Sequence, residues 1–145
     1  MTTRPDIEIL LVEDDPQDAD LTMHTLRRHG LTEKLLHVKD GAEAWQWLER
    51  YVEQGQHSLR LVLLDLKMPR LSGMQVLDRM KAHPEMRRIP VVVMTSSQQE
   101  ADLVSCYDLG VNSYIVKPLQ FVDFSRVVAG LGQYWIELNT TLASR

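Results

Sequence analysis

Four short apolar runs punctuate the chain, and each stops at a polar residue. Ile9-Leu10-Leu11-Val12 runs into Glu13-Asp14-Asp15, and Leu61-Val62-Leu63-Leu64 into Asp65. Val91-Val92-Val93-Met94 runs into Thr95-Ser96-Ser97, and Tyr114-Ile115-Val116 into Lys117-Pro118. Continuous apolar stretches of this length, bounded by turn signals, predict strands buried on both faces. A more polar run, Leu35-Leu36-His37-Val38, predicts an edge strand before the turn at Asp40-Gly41. Between the runs the apolar spacing turns helical. Asp15-Pro16 opens a first helix, with Asp15 as N-cap, Pro16 at the first position and Asp18 at N3. Ala19, Met23 and Leu26 mark its buried face, and Gly30 closes it. Ala44, Trp45, Leu48, Tyr51 and Val52 mark a second helix, and Met74, Leu77 and Met80 a third. A fourth covers Gln98 to Leu109 and ends at Gly110. The last begins near Gln120 and carries Phe124, Val127, Leu131, Trp135 and Leu138.

Strands alternating with helices imply a parallel α/β sheet, helices on both faces and right-handed crossovers. With polar ends after strands one and three, the pattern predicts a doubly wound (βα)5 sheet of flavodoxin-like order 2-1-3-4-5. The crevice then lies between strands one and three, at the switch point. All four polar ends converge on that edge. Asp65 stands at its centre, and burying a carboxylate there is costly unless a cation or donors meet it.

The converging groups suit one chemistry. Mg2+ takes oxygen ligands, usually one or two carboxylates with waters and phosphate oxygens. Asp14 and Asp65 can supply two, and Glu13 can act through a water, while Asp15 is explained by the helix cap. A carboxylate beside Mg2+ can attack phosphorus and form an aspartyl phosphate. The protein's work in such a transfer is positioning and charge stabilisation. Lys117 would hold one phosphate oxygen and Thr95 would donate its hydroxyl to another. A cis bond before Pro118 would turn the strand end so that the ammonium points into the crevice.

The bulk numbers narrow the setting. A length of 145 residues suits a single domain over 1–145, with a core over about 7–136 and a helical extension over about 136–145. The net charge of −4 argues against a nucleic-acid partner, and Arg27-Arg28 and Arg87-Arg88 read as solvated surface. One cysteine, Cys106, excludes an internal disulfide and fits a reducing compartment. Residues 2–6 are polar, unlike a signal peptide, and no apolar stretch approaches the roughly 20 residues of a membrane helix. A cytoplasmic protein is expected. The histidines show no metal-ligand spacing.

The ordered set Glu13-Asp14, Asp65, Thr95 and Lys117-Pro118 resembles the receiver domain of bacterial two-component response regulators, over roughly residues 7 to 136. The resemblance implies that Asp65 accepts a phosphoryl group from a histidine of a sensor kinase. It implies that Asp14 and Asp65 bind Mg2+ with the backbone carbonyl of Lys67, and that Thr95 and Lys117 contact the phosphoryl group. Tyr114 matches the family's switch aromatic, which rotates as Thr95 moves toward the phosphate. Glu13 departs from the Asp common at its position. Lys67 and Ser97 flank the water path to the phosphoryl group and would set a slow autodephosphorylation. A phosphatase of the haloacid-dehalogenase type would need a second acid two residues after the nucleophile, where Lys67 stands. Gly130, Gly132, Tyr134 and Trp135 resemble the single-domain response regulators paired with bacterial phytochromes. That finer likeness implies a phytochrome-type kinase as partner and a homodimer, with Trp135 and Leu138 as dimer contacts. Too few residues follow Lys117 for a DNA-binding output domain.

Overall fold

In the computed structural model, which describes residues 7–31 and 33–144, five parallel strands form one sheet in the order β2-β1-β3-β4-β5. The strands are β1 (Ile9–Val12), β2 (Leu35–Val38), β3 (Leu61–Leu64), β4 (Val91–Thr95) and β5 (Ser113–Val116). The helices are α1 (Pro16–Arg28), α2 (Gly41–Glu53), α3 (Gly73–Ala82), α4 (Glu100–Asp108) and α5 (Phe121–Gly132). The order is the one the apolar runs predicted. The polar stretch at 2–6 lies outside the described residues.

Strand periodicity of two explains why the runs are apolar throughout. Leu10, Val12, Val62, Leu64, Val91 and Val93 pack into the core beneath α2, α3 and α4. Ile9, Leu11, Leu61, Leu63, Val92 and Met94 pack into the core beneath α1 and α5. The register pairs Val12 with Leu64, Leu64 with Val93, and Thr95 with Val116. Consequently Glu13, Asp65, Thr95 and Lys117 all arrive at the same carboxyl edge.

The helices end as their sequences require. Asp15 caps α1 by accepting the N–H groups of Gln17 (2.9 Å) and Asp18 (3.2 Å). Gly30 and Gly110 close α1 and α4 at φ +73° and +95°, a region that favours glycine. In each, the glycine and the residue after it donate back into the last helical turn, satisfying carbonyls that would otherwise be orphaned.

Three helix faces differ in detail from the apolar spacing. In α1, Thr22 and Thr25 are buried while Met23 is only half-buried. Their hydroxyls donate to the Asp18 and Leu21 carbonyls at 2.8 and 2.9 Å, so burial leaves no donor unmatched. In α2, Trp47 enters the core and stacks on Tyr51 at 5.1 Å. Trp45, expected there, is half-buried with the Arg79 guanidinium 5.6 Å from its ring. In α3, Val76 is buried and Met74 only partly so.

The C-terminal segment departs from the expected helical extension. After Gly132 the helix widens into a π-type turn over Gln133–Leu138, breaks at Asn139, and closes with a short 3-10 turn over Leu142–Ser144. Near this end the Arg60 guanidinium donates to the Ile136 carbonyl at 2.9 Å, one of the carbonyls left without a helical partner where a helix stops. Gly132 allows α5 to press on the end of α1, since a Cβ there would stand 2.8 Å from Leu31 Cδ1. Trp135 is half-buried against the α1–α5 core, edge-on to Tyr134, whereas Leu138 is 65% exposed.

Candidate functional site

The loop after β1 delivers Glu13 and Asp14 and then enters α1. Its backbone is fixed on both sides: the Glu13 N–H donates to the Val38 carbonyl at 3.1 Å, and the Glu13 carbonyl pairs with His37 Nε2 at 2.8 Å. Glu13 is buried, and its Oε2 accepts the Asp15 N–H at 3.2 Å. Asp14 is exposed.

Asp65 follows β3, with its N–H bonded to the Val12 carbonyl at 3.1 Å and its side chain buried. The Lys67 N–H reaches Asp65 Oδ1 at 3.4 Å. What holds this turn is Gly73, the first residue of α3. A Cβ there would lie 1.9 Å from the Asp65 carbonyl oxygen and 2.8 Å from Leu66 Cα. The helix start therefore packs directly on the backbone of Asp65, and the Gly73 N–H ties it to the Leu66 carbonyl at 2.9 Å.

Lys117 leaves β5 with its N–H on the Thr95 carbonyl at 2.7 Å. Its ammonium meets three carboxylates: Glu13 Oε1 at 2.6 Å, Asp18 Oδ2 at 2.8 Å and Asp65 Oδ2 at 3.0 Å. There is no cis peptide bond among the described residues, so the bend suggested at Pro118 is corrected. With a trans bond, the lysine stem alone carries the charge to the acids. Burial would lower the Lys117 pKa, but the bonds to Asp18 and Glu13 and the Asp65 charge outweigh it and hold it above the usual lysine range. Burial, with the Asp65 charge adding to it, pushes the Glu13 carboxyl up to about 8 against the pull of Lys117.

One ammonium thus faces an excess of acid. Glu13, Asp14 and Asp65 each offer an oxygen, and these oxygens lie within 4.8 Å of one another. An all-oxygen carboxylate set with an open, exposed member fits a hard divalent cation that keeps some of its waters. Beneath the carboxylates, among Thr22, Met94 and Phe124, only about 10 Å³ is free, less than an organic substrate needs. A cavity of about 490 Å³ exists elsewhere, bordered by Tyr51, Ile89 and Leu142, and contains none of these acids.

Thr95 is fully buried at the end of β4, and its Oγ1 accepts the Ser97 N–H at 3.3 Å. Ser97 in turn donates its hydroxyl to Asp102 in the first turn of α4, and its carbonyl accepts the Tyr114 hydroxyl at 3.1 Å. One short network therefore joins Thr95, Ser97, Tyr114 and Asp102. Asp18 and Asp102 are the polar partners that reading the sequence missed. Asp18 was visible only as a first-turn acid, which the helix dipole explains without any role. Cys106 is buried beside Met74, and burial with the Asp102 charge pushes its thiol up to about 11, as an inert cysteine should be.

The sheet order, the acid cluster at its switch point and the Lys117 ammonium among those acids define a class of doubly wound α/β domain with one charged site at its carboxyl edge. The chain belongs to the response regulator receiver domain family, whose model matches residues 9–129. It is 40% identical over 131 residues to the probable methanogenesis regulatory protein FilR2 of Methanothrix harundinacea, covering 90% of this chain and 84% of that one. It is 35% identical over 143 residues to the response regulator Rcp1 of Synechocystis sp., covering 98% and 97%. The Mn2+-bound structure of Rcp1 superposes with a TM-score of 0.82 at 34% identity, covering 93% of this chain and 98% of that one. The phosphorylated cyanobacterial phytochrome response regulator RcpA superposes with a TM-score of 0.85 at 34% identity, covering 94% and 98%. Two-component phosphorelay signalling is therefore this chain's activity class, and its Glu13, Asp14 and Asp65 oxygens could hold a divalent cation. Among the described residues no helix is long and apolar enough to cross a membrane.

A cation that binds the folded acids and not the unfolded chain raises stability by mass action, about 2.7 kcal/mol at one hundred times its dissociation constant. Thermal unfolding in Mg2+ is expected to occur at higher temperature than in EDTA. Asp14→Ala should abolish that difference while leaving the EDTA transition nearly unchanged, because the Asp14 side chain is exposed.

Proposed function

We propose that this chain is a single-domain response regulator that takes a phosphoryl group on Asp65 from a phosphohistidine of a sensor kinase. The observation that carries this reading is the contact of Asp65 Oδ2 with the Lys117 ammonium at 3.0 Å, inside the cluster formed with Glu13 and Asp14. An Asp65 oxygen attacks phosphorus; the new P–O bond forms as the P–N bond of the donor breaks, and its electron pair leaves with the imidazole. Bound Mg2+ supplies positive charge to the carboxylate and the phosphoryl oxygens. Asp14, Asp65 and the Lys67 backbone carbonyl would hold it, with Glu13 acting through a water. Lys117 takes one phosphoryl oxygen and Thr95 a second.

Thr95 Oγ1 accepts the Ser97 N–H and keeps its own hydrogen for a phosphoryl oxygen, so a shift of Thr95 toward that oxygen would pull on Ser97, whose carbonyl accepts the Tyr114 hydroxyl. Phosphorylation adds about −1.5 to −2 charges, enough to bias such a loop pair toward a second arrangement. The chain is then no dedicated enzyme: it promotes its own phosphorylation and a slow loss of the group, set in part by Lys67 and Ser97. A phytochrome-type kinase is the partner that the likeness to RcpA supports. Homodimer formation is supported by apolar side chains left exposed at α4, β5 and the start of α5, including Tyr107, Val116, Leu119 and Phe121. Leu138, 65% exposed, extends this reading to the C-terminal segment, where Trp135 would contribute only the part of its ring that this chain's own core leaves uncovered. The absence of a basic character argues against nucleic acid, and a cytoplasmic setting with no membrane partner completes the assignment.

The test is phosphotransfer from an autophosphorylated, labelled phytochrome-type histidine kinase. Label should leave the kinase and appear on this chain, and Asp65→Asn should take none. Equal labelling of Asp65→Asn would overturn the assignment. Light scattering with and without a beryllium-fluoride phosphate mimic reads the dimer; one mass for a monomer in both conditions would overturn that part.

A further inference from the structure

Three carboxylates hold the Lys117 ammonium, but they do not share one fate. Glu13 and Asp65 also belong to the oxygen cluster that suits a cation. On the proposed reading, which this inference rests on, both are drawn away from the lysine when the site is loaded. Glu13 would turn to a water held by the cation. Asp65 would lose its charge in forming the acyl phosphate. Asp18 stands outside that cluster. Its Oδ2 lies 2.8 Å from Lys117 Nζ, and it comes from a different element, the first turn of α1.

The backbone of Asp18 is tied at both its N–H and its carbonyl. Its N–H is capped by Asp15 Oδ1 at 3.2 Å, and its carbonyl accepts the buried Thr22 hydroxyl at 2.8 Å. Ala19, the next residue, is fully buried against the sheet. Asp18 is therefore a carboxylate on a rigid base, and Lys117 is a flexible four-carbon stem that by itself loses rotamer freedom when it is ordered. A fixed acid that keeps one N–H of the ammonium leaves the other two free for the reacting groups.

We infer that Asp18 is a positioning residue for phosphoryl transfer: it anchors the Lys117 ammonium to α1 so that the charge stays beside Asp65 after Glu13 and Asp65 have released it. Asp18 touches neither donor nor metal; it acts through Lys117. This goes beyond the family's ordered set, none of whose members lies on α1 itself.

The experiment is a double-mutant cycle on the full chain with Asp18→Asn and Lys117→Met. It follows the rate of phosphoryl uptake from acetyl phosphate in saturating Mg2+, with Mg2+ affinity measured in parallel. Asp18→Asn keeps the size and the helix start, so folding is preserved. It should slow uptake about tenfold, a change equivalent to about 1.4 kcal/mol. Asp18→Glu should recover part of the loss, and Mg2+ affinity should change less than about twofold. In the Lys117→Met background, adding Asp18→Asn should slow uptake by less than about twofold, because residues acting through one another are not additive. A merely structural role would slow both backgrounds equally. An unchanged rate in Asp18→Asn, or the same tenfold loss in both backgrounds, overturns the inference while leaving Asp65 as acceptor. Failure of the wild-type chain to take up phosphoryl at all overturns the acceptor reading, and this inference with it.

Discussion

Replacing Lys117 by alanine is expected to damage both the fold and the chemistry, and to damage the fold less in acid. The substitution leaves Glu13, Asp18 and Asp65 facing one another with no ammonium between them. Breaking a buried ion pair by removing one partner costs about 3–5 kcal/mol, and the side chain is only 10% exposed. Urea unfolding at neutral pH in EDTA should show a loss near the lower end of that range, since protonation relieves part of it. The sign of the pH dependence follows from Glu13. Its carboxyl titrates at about 8 in the folded chain against an ordinary value of 4.5, and losing Lys117 removes an influence that lowers it. Across that window the folded variant binds more protons than the unfolded one, so its stability falls as pH rises. Mg2+ should restore part of the loss by supplying the missing positive charge. Phosphoryl uptake should remain depressed by about 100-fold or more, the scale of removing one preorganised charge-stabilising donor. A variant as stable as wild type in EDTA at neutral pH would mean that the three contacts do not exist in solution.

The second large effect is expected at a residue with no side chain. Gly73→Ala places a methyl group 1.9 Å from the Asp65 carbonyl oxygen and 2.8 Å from Leu66 Cα. Both neighbours are backbone, so no side-chain rotation makes room. Either α3 or the Asp65 turn must move. Helix propensity alone would favour alanine by about 1 kcal/mol; overpacking should reverse that sign and destabilise by about 3 kcal/mol. Displacing the carboxylate by about 1 Å should further cost about 100-fold in transfer rate. Gly130→Ala is the matched control. It also lies in a helix, but nothing stands within 4 Å of its added Cβ. It should be neutral or stabilising by up to about 1 kcal/mol, with uptake unchanged. Chemical unfolding and acetyl phosphate assays on the two variants read both effects; equal behaviour would remove the packing argument for Gly73.

The contrast between Gly73 and Asp65 shows what the linear sequence displays and what it hides. Asp65, Lys117 and Thr95 were legible because each interrupts an apolar run, and a parallel sheet turns four interruptions into one neighbourhood. The strand order followed from the same alternation. Asp18 was not legible as a partner of Lys117, because an acid in a first helical turn already has a sufficient local reason. Thr22, Thr25 and Trp47 were missed as core residues for a related cause. Threonine scores as polar until its hydroxyl finds a carbonyl one turn back, and helical spacing alone does not choose between Trp45 and Trp47. The irregular end of α5 was not legible either, since its local spacing carries no sign of the π-type turn or of the bond from Arg60, far away in the chain, to the Ile136 carbonyl. Interactions between distant residues that leave no local trace are the part that needed coordinates.

On the proposed reading, Asp65, held by Lys117 within the acid cluster, is where phosphorus is received. The most direct test of that reading is to incubate the chain with Mg2+ and acetyl phosphate and map the modified residue by mass spectrometry after acidic quenching. One acid-stable, base-labile phosphoryl group is expected on Asp65, absent without the cation and absent in Asp65→Asn. A phosphoryl group on any other residue, or one that persists in Asp65→Asn, would contradict it.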